Sequence, residues 1–400
     1  MTVRIGMLVD LYTPHISGVT NYVTLNKAWL ERRGHDVFVF TFGGEADAEP
    51  GVVRSPGLPL KVAGVGLHFA LDYDRAAREL LETMDLLHVH HPFRSGLLAL
   101  RYGRPRGLPV VFTNHTRYDL YARHYLPPVA SALGRALLKM YWPWFCGRCD
   151  LVIAPSPGLR AVLQTLGARA SVKVIPNGVD LAPFAHPAPL TRAEAGLPDD
   201  KVIVMYLGRL GPEKNLGFLL RAFRQAAMNC PEAGLAIVGG GKALANLRAD
   251  VERAGLAGRV SLLGQVPYAQ IPSVLRLADV FVTASQTEVH PFSLIEALAS
   301  GLPALGIQSP GVSDTIIDGE NGLLSAPDME AFVAGMTRLV REPETRQRMG
   351  ARARELAQQY DINQTGQSVL EEYERLVVYR SRAKLAVRAS ARTTSRSEMK

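Results

Sequence analysis

Short apolar runs alternate with amphipathic helical patterns along most of the chain, and this alternation limits the possible folds more than any other feature. The series begins with an apolar run at residues 3–9, a helical pattern at 21–32 and a second run at 37–42. Mostly apolar runs of this length are typical of parallel strands that helices cover on both faces. Further strand candidates in the first half are residues 86–89, 110–113, 151–154 and 172–175. The sequence therefore predicts an α/β fold with parallel sheets.

A proline-rich stretch at residues 182–200 separates this series from a second one. Strand candidates in the second series are residues 202–207, 234–238, 260–263, 280–283 and 303–307, followed by helical patterns at 328–360 and 364–382. A chain of 400 residues exceeds what one hydrophobic core usually organises. We therefore expect an N-terminal domain over residues 1–183, a C-terminal domain over 184–363, and a basic, disordered tail over 383–400.

The composition is that of a globular protein, with 47% apolar and 20% charged residues. No apolar run approaches the ~20 residues that span a bilayer, and residues 1–10 have the pattern of a strand rather than of a signal peptide. The three cysteines make no even disulfide set, and we expect reduced thiols. We expect a cytoplasmic protein that requires no metal or other cofactor.

The net charge of +8 favours an anionic partner, and the basic residues are concentrated between residues 94 and 148. That segment also carries many tyrosines and tryptophans, a mixture that suits a membrane interface. A solvated basic face over an aromatic core explains the same pattern. On the first interpretation the protein lies peripherally on the inner face of the cell membrane.

A strand, a glycine turn and a helical pattern follow one another in the segment YLGRLGPEKNLGFLLRAF, residues 206–223. An α-helix beginning near Glu213 would present free N–H groups, and Arg209 and Lys214 would add two cations beside them. This arrangement predicts a metal-free diphosphate site, although ordinary surface cations are the alternative. Gly239 and Gly240 repeat the strand, glycine and helix order, and Gly18 lies in the first strand-to-helix loop. Each of these glycines lets a ligand approach the backbone, or forms a simple turn.

Two acids eight positions apart, Glu288 and Glu296, follow the strand candidate at 280–283. A carboxylate accepts hydrogen bonds from two hydroxyls, as a ribose diol or a sugar offers them. Glu296 lies in an apolar run, where an unpaired acid would be costly. Two such sheets facing each other leave a cleft at the carboxyl ends of their strands. His115 directly follows a strand of the first sheet, so it lies at the edge of this cleft and can bond a sugar hydroxyl or transfer a proton. We interpret His88, His90 and His91 as mainly structural.

Together these elements resemble the retaining glycosyltransferases of family GT4, over nearly the whole chain to about residue 379. The motifs that carry the resemblance are the Gly18 loop, D-x-x-H-x-H at 85–90, His115, PNGVD at 176–180, GRLGPEKN at 208–215 and the acid pair, which is similar to the family's E-x7-E motif. The resemblance implies the GT-B fold, two Rossmann-like domains facing across a deep cleft, with the helix at 364–382 packing back on the first domain.

The resemblance also implies roles for single residues. Arg209, Lys214 and Gly18 would bind the donor diphosphate, Glu288 the transferred sugar, Glu296 the ribose, and His115 would lie beside the donor sugar. The catalytic residues would be His115, Arg209, Lys214 and Glu288. Further donor contacts would come from Gly239, Gly240, His290, Pro291, Phe292 and Ser293. The chain departs from the family's Gly-Asp-Gly-Pro at residues 239–242, and from its Glu-Gly-Phe-Gly after Glu288.

The segment 113–127 is similar to the acceptor region of diacylglycerol glucosyltransferases of this family. The resemblance implies acceptor contacts by Arg117, Tyr118, Tyr121 and Tyr125, and transfer of glucose from a UDP-sugar to a membrane lipid such as diacylglycerol. A GDP-mannose-dependent mannosyltransferase and a transferase for soluble or polysaccharide acceptors are alternatives within the class. A nucleotide-sugar epimerase, a non-catalytic nucleotide-sugar-binding subunit and a nucleic-acid-binding protein are alternatives from other classes. The chain has no compact nucleic-acid recognition motif, and we expect no nucleic-acid partner.

Overall fold

A computed structural model of the protein contains two parallel β-sheets, each covered by helices. The structure describes residues 1–15, 17–43, 49–62, 65–120, 128–168 and 171–397. The first sheet has seven strands and the second has six, and every strand pair within them is parallel. The predicted α/β class with two Rossmann-like domains is confirmed.

The first sheet has the strand order β3-β2-β1-β6-β7-β8-β9. Its domain contains β1 Arg4–Leu8, β2 Asp36–Phe42, β3 Val52–Ser55, β4 Leu58–Val62, β5 Val65–Phe69, β6 Leu86–Val89, β7 Val110–Thr113, β8 Leu151–Ala154 and β9 Val172–Val174, with helices α1 Gly18–Arg32, α2 Arg75–Leu81, α3 Arg94–Gly103, α4 Pro128–Cys146 and α5 Pro157–Thr165. The strands β4 and β5 form a separate antiparallel hairpin. The strand order reverses direction between β1 and β6, and in such sheets ligands bind in the crevice at this point.

The second sheet has the strand order β12-β11-β10-β13-β14-β15. Its strands are β10 Val202–Leu207, β11 Ala233–Val238, β12 Val260–Gly264, β13 Val280–Thr283, β14 Ala304–Ile307 and β15 Gly322–Ser325. The helices of this half are α6 Ala182–Ala185, α7 Leu216–Asn229, α8 Leu244–Arg253, α9 Ile271–Leu275, α10 Phe292–Ala299, α11 Pro310–Ser313, α12 Met329–Arg341, α13 Pro343–Ala357 and α14 Ile362–Ser397. The corresponding reversal lies between β10 and β13, whose following loops carry most of the predicted donor residues.

Burial along their whole length stabilises the central strands of both sheets. All residues of β6, β7 and β8 in the first sheet, and of β11, β13 and β14 in the second, are buried between helices. Side-chain caps begin several of the covering helices: Ser17 caps α1, Ser156 caps α5 and Asp328 caps α12. These caps bind N–H groups that the helix itself cannot satisfy.

The last helix, α14, belongs to the first domain by its contacts. The indole of Trp29 on α1 donates to Asn363 at 3.0 Å, and the Tyr373 hydroxyl lies 2.5 Å from His88 Nδ1. Lys173 and Glu372 form an ion pair at 2.6 Å. The chain therefore crosses from the second domain back to the first, as the resemblance implied.

The predicted disordered tail is wrong for residues 383–397, because α14 continues to Ser397. Alanine, arginine and lysine are strong helix formers, and extending an existing helix requires no new nucleus. The low apolar content of the segment is therefore compatible with a helix. Residues 398–400 lie outside the described residues.

The two crossings between the domains run side by side. Val179 pairs with Asp361 in a parallel bridge, the Val179 N–H donates to Tyr360 O at 2.8 Å, and the Ile362 N–H donates to Val179 O at 3.0 Å. The hinge between the domains is thus a pair of hydrogen-bonded segments.

Candidate active site

The loop after β10 does not lead directly into a helix, so the predicted α-helix start near Glu213 is wrong. Residues Pro212–Lys214 form a 3-10 turn, and α7 begins at Leu216. Asn215 between them has φ 56°, a left-handed conformation that asparagine tolerates better than most residues. Its amide donates to Ala284 O at 3.3 Å and so joins this loop to the one after β13.

Lys214 and Glu288 form a largely buried ion pair between these two loops, with Lys214 Nζ 2.6 Å from Glu288 Oε1. Burial alone would lower the pKa of Lys214, but the Glu288 carboxylate outweighs it and the pKa lies above its ordinary value. Burial would likewise raise the pKa of Glu288, and the ammonium of Lys214 holds it below its ordinary value instead. Both groups are therefore charged near neutral pH, and the ammonium has further N–H donors for a second anion.

Arg209 lies in the same loop and bonds Glu213 at 2.5 Å. The Glu213 side chain is almost fully buried, whereas about a third of the Arg209 side chain is exposed. The buried hydroxyl of Tyr206, in β10, donates to the Arg209 carbonyl at 3.0 Å and so attaches the loop to the strand before it. One guanidinium is thus anchored at one edge and accessible at the other, which suits a phosphate contact.

Two glycine loops pack directly on each other beside these cations. Gly239 has φ 143°, and a Cβ there would lie 1.9 Å from Gly208 O. The Leu210 N–H donates to Gly240 O at 2.9 Å. The glycines after β11 therefore let the loop after β10 approach closely, and this role in packing does not depend on a ligand.

Glu296 lies on α10 and is buried, with its Oε1 bonded to no other group in the described part of the chain. Burial raises the pKa of Glu296 to about 7, and a hydrogen bond from Tyr268 opposes that rise. Tyr268 is more than a third exposed and follows β12. The pair offers a carboxylate with free acceptor capacity beside an aromatic ring, as a ribose and its base require.

His115 joins a cluster of rings in the first domain. Its Nε2 lies 3.1 Å from His90 Nδ1, and its ring packs on Tyr22 at 4.7 Å between centroids. Burial holds the pKa values of His90 and His115 well below their ordinary value, and lowers that of His88 to about 3. These histidines are neutral at pH 7. His88 and His90 are both fully buried, and His88 bonds Tyr373 and Thr113, so the burial is compatible with the structural role, which stays a prediction.

The start of α1 in the first domain lies close to the loops that follow β10 and β13. A Cβ on Gly18, the first residue of α1, would lie 3.6 Å from the ring of Phe292, the first residue of α10. Arg209 of the second domain is near enough to His15 to lower its pKa, after the larger effect of burial. The start of α1 therefore lies next to Phe292, and the preceding loop lies near Arg209.

The remaining predicted residues are less closely involved. The ring of His290 is buried and its Nδ1 accepts from the Asn177 N–H at 3.2 Å. Arg117 pairs with Asp119 at 2.7 Å, and the ring of Tyr118 packs on Phe93 at 5.1 Å. Tyr121 and Tyr125 lie outside the described residues. Their acceptor role stays a prediction.

The sequence reasoning missed three residues that hold the site together: Glu213, Asn177 and Tyr268. Glu213 follows Arg209 by four positions, and an acid and a base this close in sequence can form an ion pair. Asn177 lies in the PNGVD motif, which the resemblance used without giving its asparagine a role. No local pattern marks Tyr268, since its contact with Glu296 depends on how β12 is placed.

Two Rossmann-like domains, with cations and carboxylates at the strand ends of the second, are typical of nucleotide-sugar transferases. Residues 16–183 match the family described as Glycosyltransferase Family 4, and residues 188–356 match that described as Glycosyl transferases group 1. The chain belongs to these glycosyltransferases and is a hexosyltransferase.

Several curated relatives act on lipids by name. The alpha-monoglucosyldiacylglycerol synthase of Streptococcus pneumoniae is 28% identical over 85% of this chain and 79% of its own. The enzyme of the same name from Acholeplasma laidlawii is 28% identical over 85% of this chain and 89% of its own. A phosphatidyl-myo-inositol mannosyltransferase of Mycolicibacterium smegmatis is 28% identical over 93% of both chains.

Solved structures share the fold. Anabaena HepE, in complex with UDP and glucose, superposes with a TM-score of 0.73 at 18% identity, covering 93% of this chain and 100% of that one. The sucrose-phosphate synthase of Thermosynechococcus elongatus gives 0.77 at 22% identity, covering 94% and 100%. At these identities the likeness establishes the GT-B fold alone.

Proposed function

We propose that this protein transfers glucose from UDP-glucose to a membrane lipid such as diacylglycerol, with retention at the anomeric carbon and without a metal ion. The observation that carries the donor half is the Lys214–Glu288 pair at 2.6 Å, beside Arg209, whose side chain is about a third exposed. Two cations and a carboxylate are what a sugar bound through a diphosphate requires. UDP as the donor nucleotide is supported by fold neighbours whose structures contain it.

In this mechanism the acceptor hydroxyl attacks the anomeric carbon from the face that the diphosphate leaves. The leaving phosphate oxygen takes the hydroxyl proton. Lys214 and Arg209 stabilise the charge that develops on the diphosphate, and their anchors Glu288 and Glu213 hold them in place before the reaction. Because both cations are fixed by buried carboxylates, little reorganisation accompanies bond breaking.

The lipid half of the proposal is supported by an apolar stripe on the first domain. Leu137, Met140 and Trp144 follow one another at helical spacing on α4, and all three side chains are exposed. The guanidinium of Arg148 lies 4.4 Å from the Trp144 ring. An exposed aromatic and aliphatic stripe next to cations suits the interface of an anionic leaflet, where each basic residue gains about 1 kcal/mol. None of the helices in the described ranges is long and apolar enough to cross a bilayer.

The test is nucleotide release by the purified protein with UDP-glucose, UDP-galactose or GDP-mannose, each with and without vesicles. The vesicles contain diacylglycerol in phosphatidylglycerol or, as a neutral control, in phosphatidylcholine. We expect release of UDP from UDP-glucose that depends on diacylglycerol and is faster on the anionic vesicles. The anomeric configuration of the product lipid, read by NMR, tests retention, and an unchanged rate in EDTA tests metal independence.

Other outcomes would replace parts of the proposal. Two further arms of the assay offer phosphatidylinositol vesicles and soluble sugars as acceptors. Turnover of GDP-mannose with the phosphatidylinositol vesicles would identify a mannosyltransferase like the mycobacterial relative. Turnover with the soluble sugars alone would contradict the lipid acceptor. Consumption of the donor with no acceptor and no nucleotide release would point to an epimerase.

A further inference from the structure

Three segments meet at the hinge between the domains, and one of them is the loop that carries Glu288. The other two are the crossings themselves, around Asn177–Val179 and Tyr360–Ile362. The meeting point is the imidazole of His290, which is almost completely buried. His290 takes the third place of the family's Glu-Gly-Phe-Gly pattern, where that pattern has phenylalanine.

His290 is bonded to the first crossing in two ways. Its Nδ1 accepts from the Asn177 N–H at 3.2 Å, and its carbonyl accepts from the Asn177 side-chain amide at 2.9 Å. Burial lowers the pKa of His290 to about 3, so the ring is neutral near pH 7 and Nδ1 remains an acceptor. The donor loop is therefore hydrogen-bonded to the first domain's exit segment through both side chain and backbone.

The same ring also touches the second crossing. The Tyr360 ring meets it edge-on at 5.0 Å between centroids. Since the Val179 N–H donates to Tyr360 O, the two crossings and His290 form one packed unit. A rotation of the domains about this hinge must displace His290 or break these contacts.

A second contact between the domains supports the loop from its other side. Asp314, directly after α11, accepts from the Gly158 N–H at the start of α5 at 2.7 Å. A Cβ on Gly311 of α11 would lie 2.5 Å from Glu288 O, so α11 lies directly against the backbone of the donor loop. The Asp314–Gly158 bond therefore links the first domain to α11, and α11 packs on the backbone of Glu288 and Val289.

We infer that His290 is a positioning residue that couples the relative placement of the two domains to the position of Glu288. The inference rests on the proposed function, because it assigns Glu288 to the donor sugar. His290 acts through the loop backbone and touches no reacting atom. It makes the donor site complete only when the first domain, which brings the acceptor, is correctly placed.

Three substitutions test this inference. His290→Leu removes the acceptor while filling the space, and His290→Asn restores an acceptor, since asparagine Oδ1 and histidine Nδ1 are both attached to Cγ. His186→Leu, at an exposed histidine on the linker, is the matched control. We expect His290→Leu to lower kcat about tenfold to a hundredfold, as a displacement near 1 Å does, with little change in the Kd for UDP. His290→Asn should recover most of kcat, and His186→Leu should not differ from the unsubstituted protein.

A second measurement does not depend on turnover. Hydrogen–deuterium exchange of peptides covering residues 284–293 should be faster in His290→Leu and return towards normal in His290→Asn. Unchanged kcat and exchange in a folded His290→Leu protein would overturn the inference, as would failure of His290→Asn to recover either. If His290→Leu does not fold, Asn177→Ala removes one of the two bonds and should give the same changes to a smaller extent. If the unsubstituted protein turns over no donor, the proposed function fails, and the exchange data still decide the coupling.

Discussion

Lys214 is the residue on which the proposed donor site depends most directly. In Lys214→Ala we expect kcat/KM for the nucleotide-sugar to fall by about 2 to 4 kcal/mol of transition-state stabilisation, a factor of roughly 30 to 1,000. The melting temperature should fall as well, because the substitution leaves the buried carboxylate of Glu288 without its partner. Steady-state kinetics and thermal unfolding measure the two effects separately.

Lys201→Ala is the matched control for this substitution. Lys201 pairs with an exposed aspartate, Asp200, outside the site. Its loss should leave kcat/KM unchanged. Near-normal turnover in Lys214→Ala would remove Lys214 from the catalytic residues.

The pKa of Glu296, about 7, gives a prediction with opposite signs for stability and binding. The folded protein keeps this proton between about pH 4.5 and 7 while the unfolded chain loses it, so stability falls as the pH rises through that window. Glu296→Gln removes this cost of at most about 3 kcal/mol. Its melting temperature should exceed that of the unsubstituted protein at pH 8 and match it at pH 4.

Donor binding should respond to the same group in the other direction. A ribose diol needs the ionised carboxylate, so the KM for the donor should rise as the pH falls below 7. In Glu296→Gln the KM should be higher at pH 8 and no longer change across this range. A KM that keeps its pH dependence in Glu296→Gln would show that another group titrates.

At this scale the sequence predicted which residues meet but not how they pair. Residue types and their positions after strands predicted that Lys214, Arg209 and Glu288 lie together, and the structure shows them as neighbours. The place of His115 beside the donor sugar stays a prediction. The bond between Lys214 and Glu288 was not predicted, because each was assigned to a different part of the ligand. Side-chain partners across loops depend on distances of a few ångströms, which spacing along a chain does not contain.

Two glycines at different places in the second domain should respond oppositely to alanine. Gly239→Ala places a Cβ 1.9 Å from Gly208 O at a φ of 143°, so the loops after β10 and β11 must separate. We expect a lower melting temperature and weaker UDP binding. Gly217→Ala, in α7, meets only the tip of Arg221 at 3.5 Å and should stabilise the helix by up to about 1 kcal/mol. Thermal unfolding and UDP titration decide both, and a destabilised Gly217→Ala would contradict the helix argument.

Among the secondary-structure elements, the buried central strands were predicted almost to the residue, as were the edge strands β9 and β12, whereas β3, β4, β5 and β15 were not predicted. β6, β7, β8, β10 and β13 have the predicted bounds because each is a continuous apolar run with polar loops on both sides. β3 and β15 lie at sheet edges, and β4 and β5 form a hairpin outside the main sheets. Such strands need no continuous apolar run, so periodicity gives little signal. The 3-10 turn at Pro212–Lys214 was interpreted as the start of the α-helix, because proline is common at the first position of α-helices.

For the whole molecule, the position of α14 predicts how truncations behave. A chain ending at residue 382 keeps the contacts of Asn363, Glu372, Tyr373 and Arg380 with the first domain. It should retain its melting temperature and donor turnover. A chain ending at residue 361 exposes the buried Trp29 and leaves His88 without Tyr373, and should aggregate or lose most of its thermal transition. A stable, active chain of 361 residues would contradict this assignment of α14.

The two-domain architecture could be predicted because strand and helix patterns repeat on both sides of a proline-rich stretch. The extent of α14 could not be predicted, because the low apolar content of its end favours disorder whereas the helix propensity of its residues favours a helix. The pairing of the two crossings at Val179 and Asp361 was equally hidden, because these residues are far apart in the sequence.

The paired crossings also decide how this enzyme can be recombined with its relatives. A chimaera with a single junction between the domains would combine α14 of one parent with α1 and β9 of the other. Trp29, Lys173 and His88 would then contact side chains of a different parent. A chimaera that exchanges the donor specificity therefore requires two junctions, one on each crossing, so that the second domain is inserted as a cassette. Asn177 and residue 290 should then be taken from the same parent.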